Sequence, residues 1–158
     1  MPLIDEMAPP FDLEGSDGKR HGLSDYPGRR ILLFFYPKDN TTGCTREATG
    51  FRDLKPEFDR LGVAILGISR DTVAAHQRFI DLHDLNMLLL SDPAASVMKL
   101  YGAFGEKIMY GRHVEGVIRS TVFITASGKV RKHWTKVPKP EQHPAQVLEY
   151  LKEFHSKE

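Results

Sequence analysis

A run of six apolar residues, Ile31 to Tyr36, places the strongest constraint on what this chain can fold into. A strand that is buried on both faces reads as a continuous apolar run, so Ile31–Tyr36 predicts a central strand. A polar loop follows at Pro37–Gly43, and Cys44–Arg60 then carries apolar residues at helical spacing. A second apolar strand is predicted at Val63–Ser69. This strand–helix–strand order favours an α/β protein with a core on both faces of its sheet.

The remaining patterns extend this core into a mixed sheet. Turn residues at Glu14–Gly18 predict a small N-terminal hairpin, Ala126–Gly128 predicts the turn of another hairpin, and Phe104–Gly116 is interpreted as irregular. The other predicted elements are a helix at Thr72–Leu82, a strand at Met87–Leu90, a helix at Ala95–Tyr101, strands at Val117–Thr125 and Lys129–Lys136, and a helix at Pro144–Phe154. This is the order of a thioredoxin-like fold, a mixed central sheet flanked by helices, with an N-terminal β-hairpin extension.

Composition excludes several classes of protein. A length of 158 residues predicts one domain, spanning 1–158. Lys plus Arg is 22 and Asp plus Glu is 21, and this balance argues against a nucleic-acid or membrane-surface protein. No apolar run approaches the ~20 residues that a membrane helix needs. No signal peptide is expected from the N-terminal sequence, and a single cysteine suits a reducing cytoplasm.

The single cysteine, Cys44, lies where the predicted loop meets the predicted helix. Main-chain N–H groups at a helix start lack helical partners and stabilise an anion, so the Cys44 thiolate should be populated at neutral pH. Gly43 allows close main-chain approach, and two hydroxyls, from Thr41 and Thr42, are near in sequence. Alternatively, Cys44 is a small buried apolar residue and the threonines cap the helix. The residues alone leave both interpretations open.

Glu47 sets a condition on the activated-thiol interpretation. It follows Cys44 by three residues, which places both side chains on nearly the same helix face. A bare carboxylate beside the sulfur would disfavour the thiolate. If Cys44 is activated, a cation should therefore hold Glu47; otherwise Glu47 is a first-turn acid that the helix dipole favours.

The segment Pro37–Cys44, PKDNTTGC, matches the Pro-x-x-x-Thr-x-x-Cys signature of peroxiredoxins. The longer strings FFYPKDNTTGCTREATGFRD and KIMYGRHVEGVIRSTVFITASGKVRKHW resemble the bacterioferritin-comigratory-protein (PrxQ) branch of the AhpC/TSA family. The resemblance covers nearly the whole chain. It implies a thiol-dependent peroxidase that reduces hydrogen peroxide and organic hydroperoxides through a sulfenic acid.

The resemblance also implies a role for each matched residue. Cys44 would be the peroxidatic nucleophile, Thr41 would hydrogen-bond the peroxide and the thiolate, and Pro37 would shield the sulfur from water. Arg119 would favour the thiolate and orient the peroxide, and Glu47 would bridge to this arginine. The peroxide would bind among Thr41, Gly43, Cys44 and Arg119. Neither a metal nor a cofactor is implied, and the seven histidines show no metal-ligand spacing.

One position departs from the branch. Many members carry a second cysteine five residues after the first, where this chain has Thr49, and others place it on the next helix, which here has none. The chain therefore resembles a one-cysteine peroxiredoxin, and an external thiol must reduce the sulfenic acid. Thioredoxin, glutaredoxin, glutathione or a second Cys44 could supply it. The alternative function is a redox sensor that forms mixed disulfides with partner proteins.

The branch resemblance implies a monomer or a weak homodimer. Four apolar residues in the segment interpreted as irregular, Phe104, Ile108, Met109 and Tyr110, are expected to pack locally under a loop. The alternative is an apolar rim near the thiol or a contact patch.

Overall fold

The computed structural model describes residues 3–156, in which a seven-stranded sheet carries the fold and a two-stranded sheet projects from it. The strands are β1 (Leu13–Gly15), β2 (Arg20–His21), β3 (Arg30–Phe35), β4 (Val63–Ser69), β5 (Leu88–Ser91), β6 (Phe104–Met109), β7 (Arg112–Val117), β8 (Ser120–Ile124) and β9 (Val130–Trp134). The helices are α1 (Thr42–Arg60), α2 (Val73–His83), α3 (Ser96–Leu100) and α4 (His143–Ser156).

The main sheet is mixed, in the order β2-β1-β5-β4-β3-β8-β9. Strands β3, β4 and β5 are parallel, whereas β8 pairs antiparallel with β3, and β9 with β8. The N-terminal hairpin of β1 and β2 joins the other edge through antiparallel pairing of β1 with β5. The predicted thioredoxin-like fold, with its mixed sheet, flanking helices and hairpin extension, is confirmed.

The apolar run of β3 divides between two cores. Leu32 and Phe34 pack in the core that α1, α2 and α4 cover, while Leu33 and Phe35 pack in the core that includes α3. Because successive strand residues point to opposite faces, a strand between two cores must be apolar at every position. No helix within residues 3–156 is both long enough and apolar enough to cross a membrane.

The interpretation of Phe104–Gly116 as irregular is wrong, because β6 and β7 form an antiparallel hairpin there. Most side chains of this ribbon are partly or fully exposed, so no apolar alternation marks its strands. Its turn is the pair Tyr110–Gly111, with φ of 52° and 75°. Two successive positive φ angles suit the twist of a two-residue hairpin turn, and this pair was the missed signal.

The expected packing of the four apolar residues in this segment holds only for Phe104. Its ring is partly buried, with the Lys99 ammonium 5.2 Å from its centroid. Ile108, Met109 and Tyr110 are exposed instead, and Tyr110 is 99% exposed at the hairpin tip. They lie beyond the edge of the core because the ribbon leaves the main sheet.

The strand predicted at Val117–Thr125 is two strands, with β7 ending at Val117 and β8 beginning at Ser120. The Ile118 N–H donates to the Ala103 carbonyl at 2.7 Å, which fixes the break. Ser120 pairs with Phe35 of β3. Arg119 therefore lies at the carboxyl end of β3, where the loop towards α1 begins.

Candidate active site

Cys44 is the third residue of α1 and is 1% exposed. The first hydrogen bond of the helix runs from the Thr45 N–H to the Thr41 carbonyl, at 2.8 Å. The N–H groups of residues 42 to 44 precede it and have no acceptor within the helix. The helix begins two residues before the predicted start, and the thiol lies in its first turn, where the main chain favours an anion.

Arg119 contacts both Cys44 and Glu47, and it is therefore the cation that the activated-thiol interpretation required beside Glu47. Its Nη2 donates to Cys44 Sγ at 3.2 Å, and its Nη1 donates to Glu47 Oε1 at 2.7 Å. The Glu47 side chain is fully buried and that of Arg119 is 15% exposed. Because the planar guanidinium has several N–H donors in fixed directions, one side chain serves both acceptors.

Burial and charge oppose each other within this cluster. Burial raises the pKa of Glu47 to about 7, against the lowering influence of Arg119. Burial also disfavours the charge on Arg119, but Glu47 and Cys44 outweigh it and raise the pKa of the guanidinium. Glu47 Oε2 is buried without a hydrogen-bond partner among residues 3–156, and the lack of a donor there disfavours the ionised carboxylate. When Glu47 is protonated, the full charge of Arg119 faces the sulfur.

Gly43 makes room for the guanidinium. A Cβ atom at this position would lie 3.2 Å from Arg119 Nη2 and 3.3 Å from the Cγ of Pro140. Both distances are shorter than ordinary van der Waals contact, so a side chain here would displace Arg119 or the loop that precedes α4. Gly43 therefore contributes to the site through the volume that it leaves free.

Thr41 occupies the N-cap position of α1, but its hydroxyl does not cap the helix. Oγ1 donates instead to the Lys38 carbonyl at 2.9 Å, which commits the only hydroxyl proton to the loop. The oxygen can still accept a hydrogen bond from a ligand. The expected hydrogen bond from Thr41 to the thiolate stays a prediction. Pro37, partly buried, lines a recess together with Arg119.

A buried hydrogen-bonded pair, which the sequence did not indicate, holds the loop between β3 and α1. Asp39 Oδ2 lies 2.6 Å from His76 Nδ1, and Asp39 Oδ1 accepts from the Tyr36 hydroxyl at 2.6 Å. On its other side, His76 Nε2 lies 2.9 Å from the Leu90 carbonyl, which can only accept. Nε2 therefore carries the proton that is donated to this carbonyl, and Nδ1 faces the carboxylate. This arrangement ties the loop to α2 and β5.

The main chain of the same loop is held separately. The Asp39 N–H donates to Asp71 Oδ2 at 2.9 Å, and Asn40 Oδ1 lies 3.0 Å from His83 Nε2 at the end of α2. Asn40 has a φ of 60°, which asparagine tolerates better than most residues. Because His76 lies 37 residues from Asp39, no local pattern in the sequence marks the contact.

His143, at the start of α4, is a second buried histidine that sequence reasoning missed. Its Nε2 lies 2.7 Å from Thr121 Oγ1, and its ring meets Trp134 edge to face. Burial and the charge of Arg119 lower the pKa of His143 to about 4. The ring is therefore neutral at neutral pH and adds no second cation beside Arg119.

Thr49 stands where many branch members have their second cysteine. Its hydroxyl donates to the Thr45 carbonyl, four residues earlier in the same helix, at 2.8 Å, so its hydrogen bond stays within α1. Within the part of the chain that the structure describes, no three histidine, cysteine or acidic side chains cluster closely enough to hold a metal ion.

Removing the Asp39 carboxylate should destabilise the fold. In Asp39→Ala the Tyr36 hydroxyl and His76 Nδ1 lose the carboxylate that each contacts at 2.6 Å, and only the weaker 3.5 Å contact between the two groups remains. Breaking one side of a buried pair costs about 3 kcal/mol of unfolding free energy, measured by urea denaturation. The control is Asp53→Ala, whose carboxylate forms an exposed pair with Arg52 and should contribute less than about 1 kcal/mol. Equal losses in the two variants would contradict the buried pair.

Glu47 should make stability depend on pH. Its pKa is higher in the folded protein, about 7, than its ordinary 4.5, so the native state binds the proton more tightly. Its contribution is fully present below the ordinary pKa and is lost as pH rises through the folded pKa. Relative to Glu47→Gln, the reduced protein should lose up to about 3 kcal/mol of unfolding free energy as the pH rises from the ordinary pKa of 4.5 to above the folded pKa of about 7. The matched control is Glu153→Gln on the surface of α4, and a pH-independent difference for Glu47→Gln would refute the assignment.

Three kinds of comparison with known proteins agree. The AhpC/TSA family matches residues 4–133. Peroxiredoxin Bcp of Bacillus subtilis is 39% identical over 154 residues, covering 98% of both chains, and that of Escherichia coli is 40% identical over 148 residues, covering 94% of both. PrxQ of Xylella fastidiosa, solved as a cysteine mutant, superposes with a TM-score of 0.89 at 33% identity over 98% of both chains. The bacterioferritin comigratory protein of Xanthomonas campestris gives 0.86 at 36% identity over 92% of both.

These similarities span the thiol, the arginine that contacts it and the sheet that brings them together. The chain belongs to the AhpC/TSA family, as a peroxidase of its Bcp/PrxQ peroxiredoxin branch.

Proposed function

We propose that this protein reduces hydrogen peroxide and organic hydroperoxides through a sulfenic acid at Cys44, and that an external thiol regenerates it. The contact between Arg119 Nη2 and Cys44 Sγ, at 3.2 Å, carries the proposal. The relatives of this chain are peroxiredoxins, and the protein from Xanthomonas campestris has an alkyl peroxide reduction activity. The chain would act as one domain, 1–158, in a reducing compartment such as the cytoplasm.

The first chemical step is attack of the Cys44 thiolate on one peroxide oxygen. A sulfur–oxygen bond forms, the oxygen–oxygen bond breaks, and the second oxygen leaves with the bonding electrons and takes a proton to become water or an alcohol. The sulfur is oxidised to a sulfenic acid, and the peroxide is reduced. Arg119 and the first-turn N–H groups of α1 would stabilise the negative charge that develops on the oxygens.

The other residues would orient the peroxide. Thr41 Oγ1 donates its hydroxyl proton to the Lys38 carbonyl, so the oxygen can accept a hydrogen bond from the peroxide O–H. This contact would direct the other peroxide oxygen at the sulfur. Gly43 leaves space beside Arg119, and Pro37, which lines a recess together with Arg119, would limit the access of water. Glu47 is a positioning residue, because it contacts Arg119 and not the sulfur in the structure.

Regeneration needs a second molecule, because the chain has one cysteine. Thioredoxin, glutaredoxin, glutathione or a second copy of the chain could supply the thiol, and a monomer or weak homodimer suffices for the first three. Since α1 has no need to unwind towards an internal partner, its first turn can stay folded through the cycle.

A single-turnover experiment tests the proposal. The reduced protein is mixed with one equivalent of hydrogen peroxide at neutral pH, with thiol loss followed by stopped flow and the product by mass. We expect fast loss with a gain of one oxygen, and none in Cys44→Ser. Arg119→Lys should react at least about tenfold more slowly, because one ammonium cannot direct separate N–H groups at Sγ and Oε1. Loss no faster than for free cysteine would overturn the proposal and favour the redox-sensor alternative.

A further inference from the structure

A recess of about 390 Å³ opens beside Arg119, between the β6–β7 hairpin and the loop that leads to α4. Its walls include Pro37 and Arg119, whose guanidinium contacts Cys44 Sγ, and its apolar lining includes Ile118 and Val137. Its volume is in the range of small-molecule sites and suits a peptide of a few residues. The proposed reaction with hydrogen peroxide does not require such a space.

Two lysines give the recess its charge. Lys107 extends over Gly116, where a Cβ would lie 3.2 Å from the lysine Cε, and its Nζ donates to the Val117 carbonyl at 2.7 Å. This ammonium is thereby held at the recess and keeps two further N–H donors. Lys136, in the loop that leads to α4, also lines the recess and is its second lysine.

No acidic side chain of residues 3–156 lines the recess, and neither lysine forms an ion pair with a carboxylate of the described chain. With Arg119, three cationic side chains line the recess, and its other residues form an apolar floor. Only Arg119 has a carboxylate partner, Glu47, and that partner is buried behind it. The recess is therefore complementary to a ligand with an apolar or peptide body and more than one negative charge.

We propose that this recess binds a small anionic thiol, a cysteine peptide with free carboxylates, and delivers its sulfur to the oxidised Cys44. The inference rests on the proposed function and deepens it by naming the class of reductant. The carboxylates pair with Lys107 and Lys136, while the peptide body lies on the apolar floor. The lone cysteine favours this occupant over an anionic hydroperoxide, because every turnover requires an external thiol.

The chemistry balances with two molecules of the thiol. The first thiolate attacks Sγ of the sulfenic acid, a sulfur–sulfur bond forms, and the sulfur–oxygen bond breaks with release of water after protonation. The second thiolate attacks the thiol-derived sulfur of this mixed disulfide and releases the Cys44 thiolate. The net change is oxidation of two thiols to one disulfide and reduction of the sulfenic acid.

The test separates the two half-reactions in a variant with both recess lysines replaced, Lys107→Gln with Lys136→Gln. The control variant, Lys129→Gln with Lys152→Gln, makes the same change of charge on other surfaces. Oxidation by hydrogen peroxide should be equally fast in both variants and in the unmodified protein. Preformed sulfenic acid is then reduced with glutathione, which is anionic, with 2-mercaptoethanol, which is neutral, and with cysteamine, which is cationic.

We expect reduction by glutathione to slow about three- to tenfold in the recess variant alone, as the loss of two exposed charge pairs implies. Reduction by 2-mercaptoethanol should not change, and reduction by cysteamine should not slow. Added salt should diminish the advantage of glutathione in the unmodified protein.

Two outcomes would overturn the inference while leaving the proposed function intact. In the first, glutathione and 2-mercaptoethanol respond equally to the recess variant. In the second, the variant slows oxidation by a carboxylate-bearing hydroperoxide and leaves reduction unchanged, which would make the recess a peroxide subsite. If hydrogen peroxide yields no sulfenic acid even in the unmodified protein, the proposed function fails and the inference fails with it.

Discussion

The contact of one guanidinium with two buried groups is the interaction on which the rest of the site depends. Arg119 donates to Cys44 Sγ and to Glu47 Oε1, and neither acceptor is open to water. A buried thiolate and a buried carboxylate on one helix face would each disfavour the other's charge. Arg119 donates to both groups, and burial raises the pKa of Glu47 to about 7, so a protonated Glu47 leaves the charge of Arg119 to the sulfur.

The fold supplies this contact by bringing together two connections between regular elements. The break between β7 and β8 places Arg119 at the carboxyl end of β3, and the loop after β3 places Cys44 at the start of α1. The buried pair of Asp39 and His76 holds that loop to α2 and β5, and this fixes the loop that leads to Cys44. A held loop suits the proposed reduction by an external thiol, since the partner would come to a stationary sulfur.

Local patterns predicted the parts of the fold that burial dictates. The apolar run of β3 and the helical spacing of α1 reflect cores on both faces of the sheet, and the need of Glu47 for a cation followed from charge alone. The β6–β7 hairpin escaped detection because an exposed ribbon carries no apolar alternation. The pair of Asp39 with His76 escaped because only the tertiary fold joins α2 to the loop. The resemblance supplied Arg119, but the sequence did not show that it lies between strands.

The proposed reaction depends on a Cys44 thiolate that Arg119 stabilises, and the ultraviolet absorbance of the thiolate tests this dependence most directly. The spectrum of reduced protein at neutral pH, less that of Cys44→Ser, isolates the signal of this sulfur. The account predicts a thiolate band in the unmodified protein that Glu47→Gln retains and Arg119→Gln loses. A band of equal size in Arg119→Gln, or no band in the unmodified protein, would contradict it.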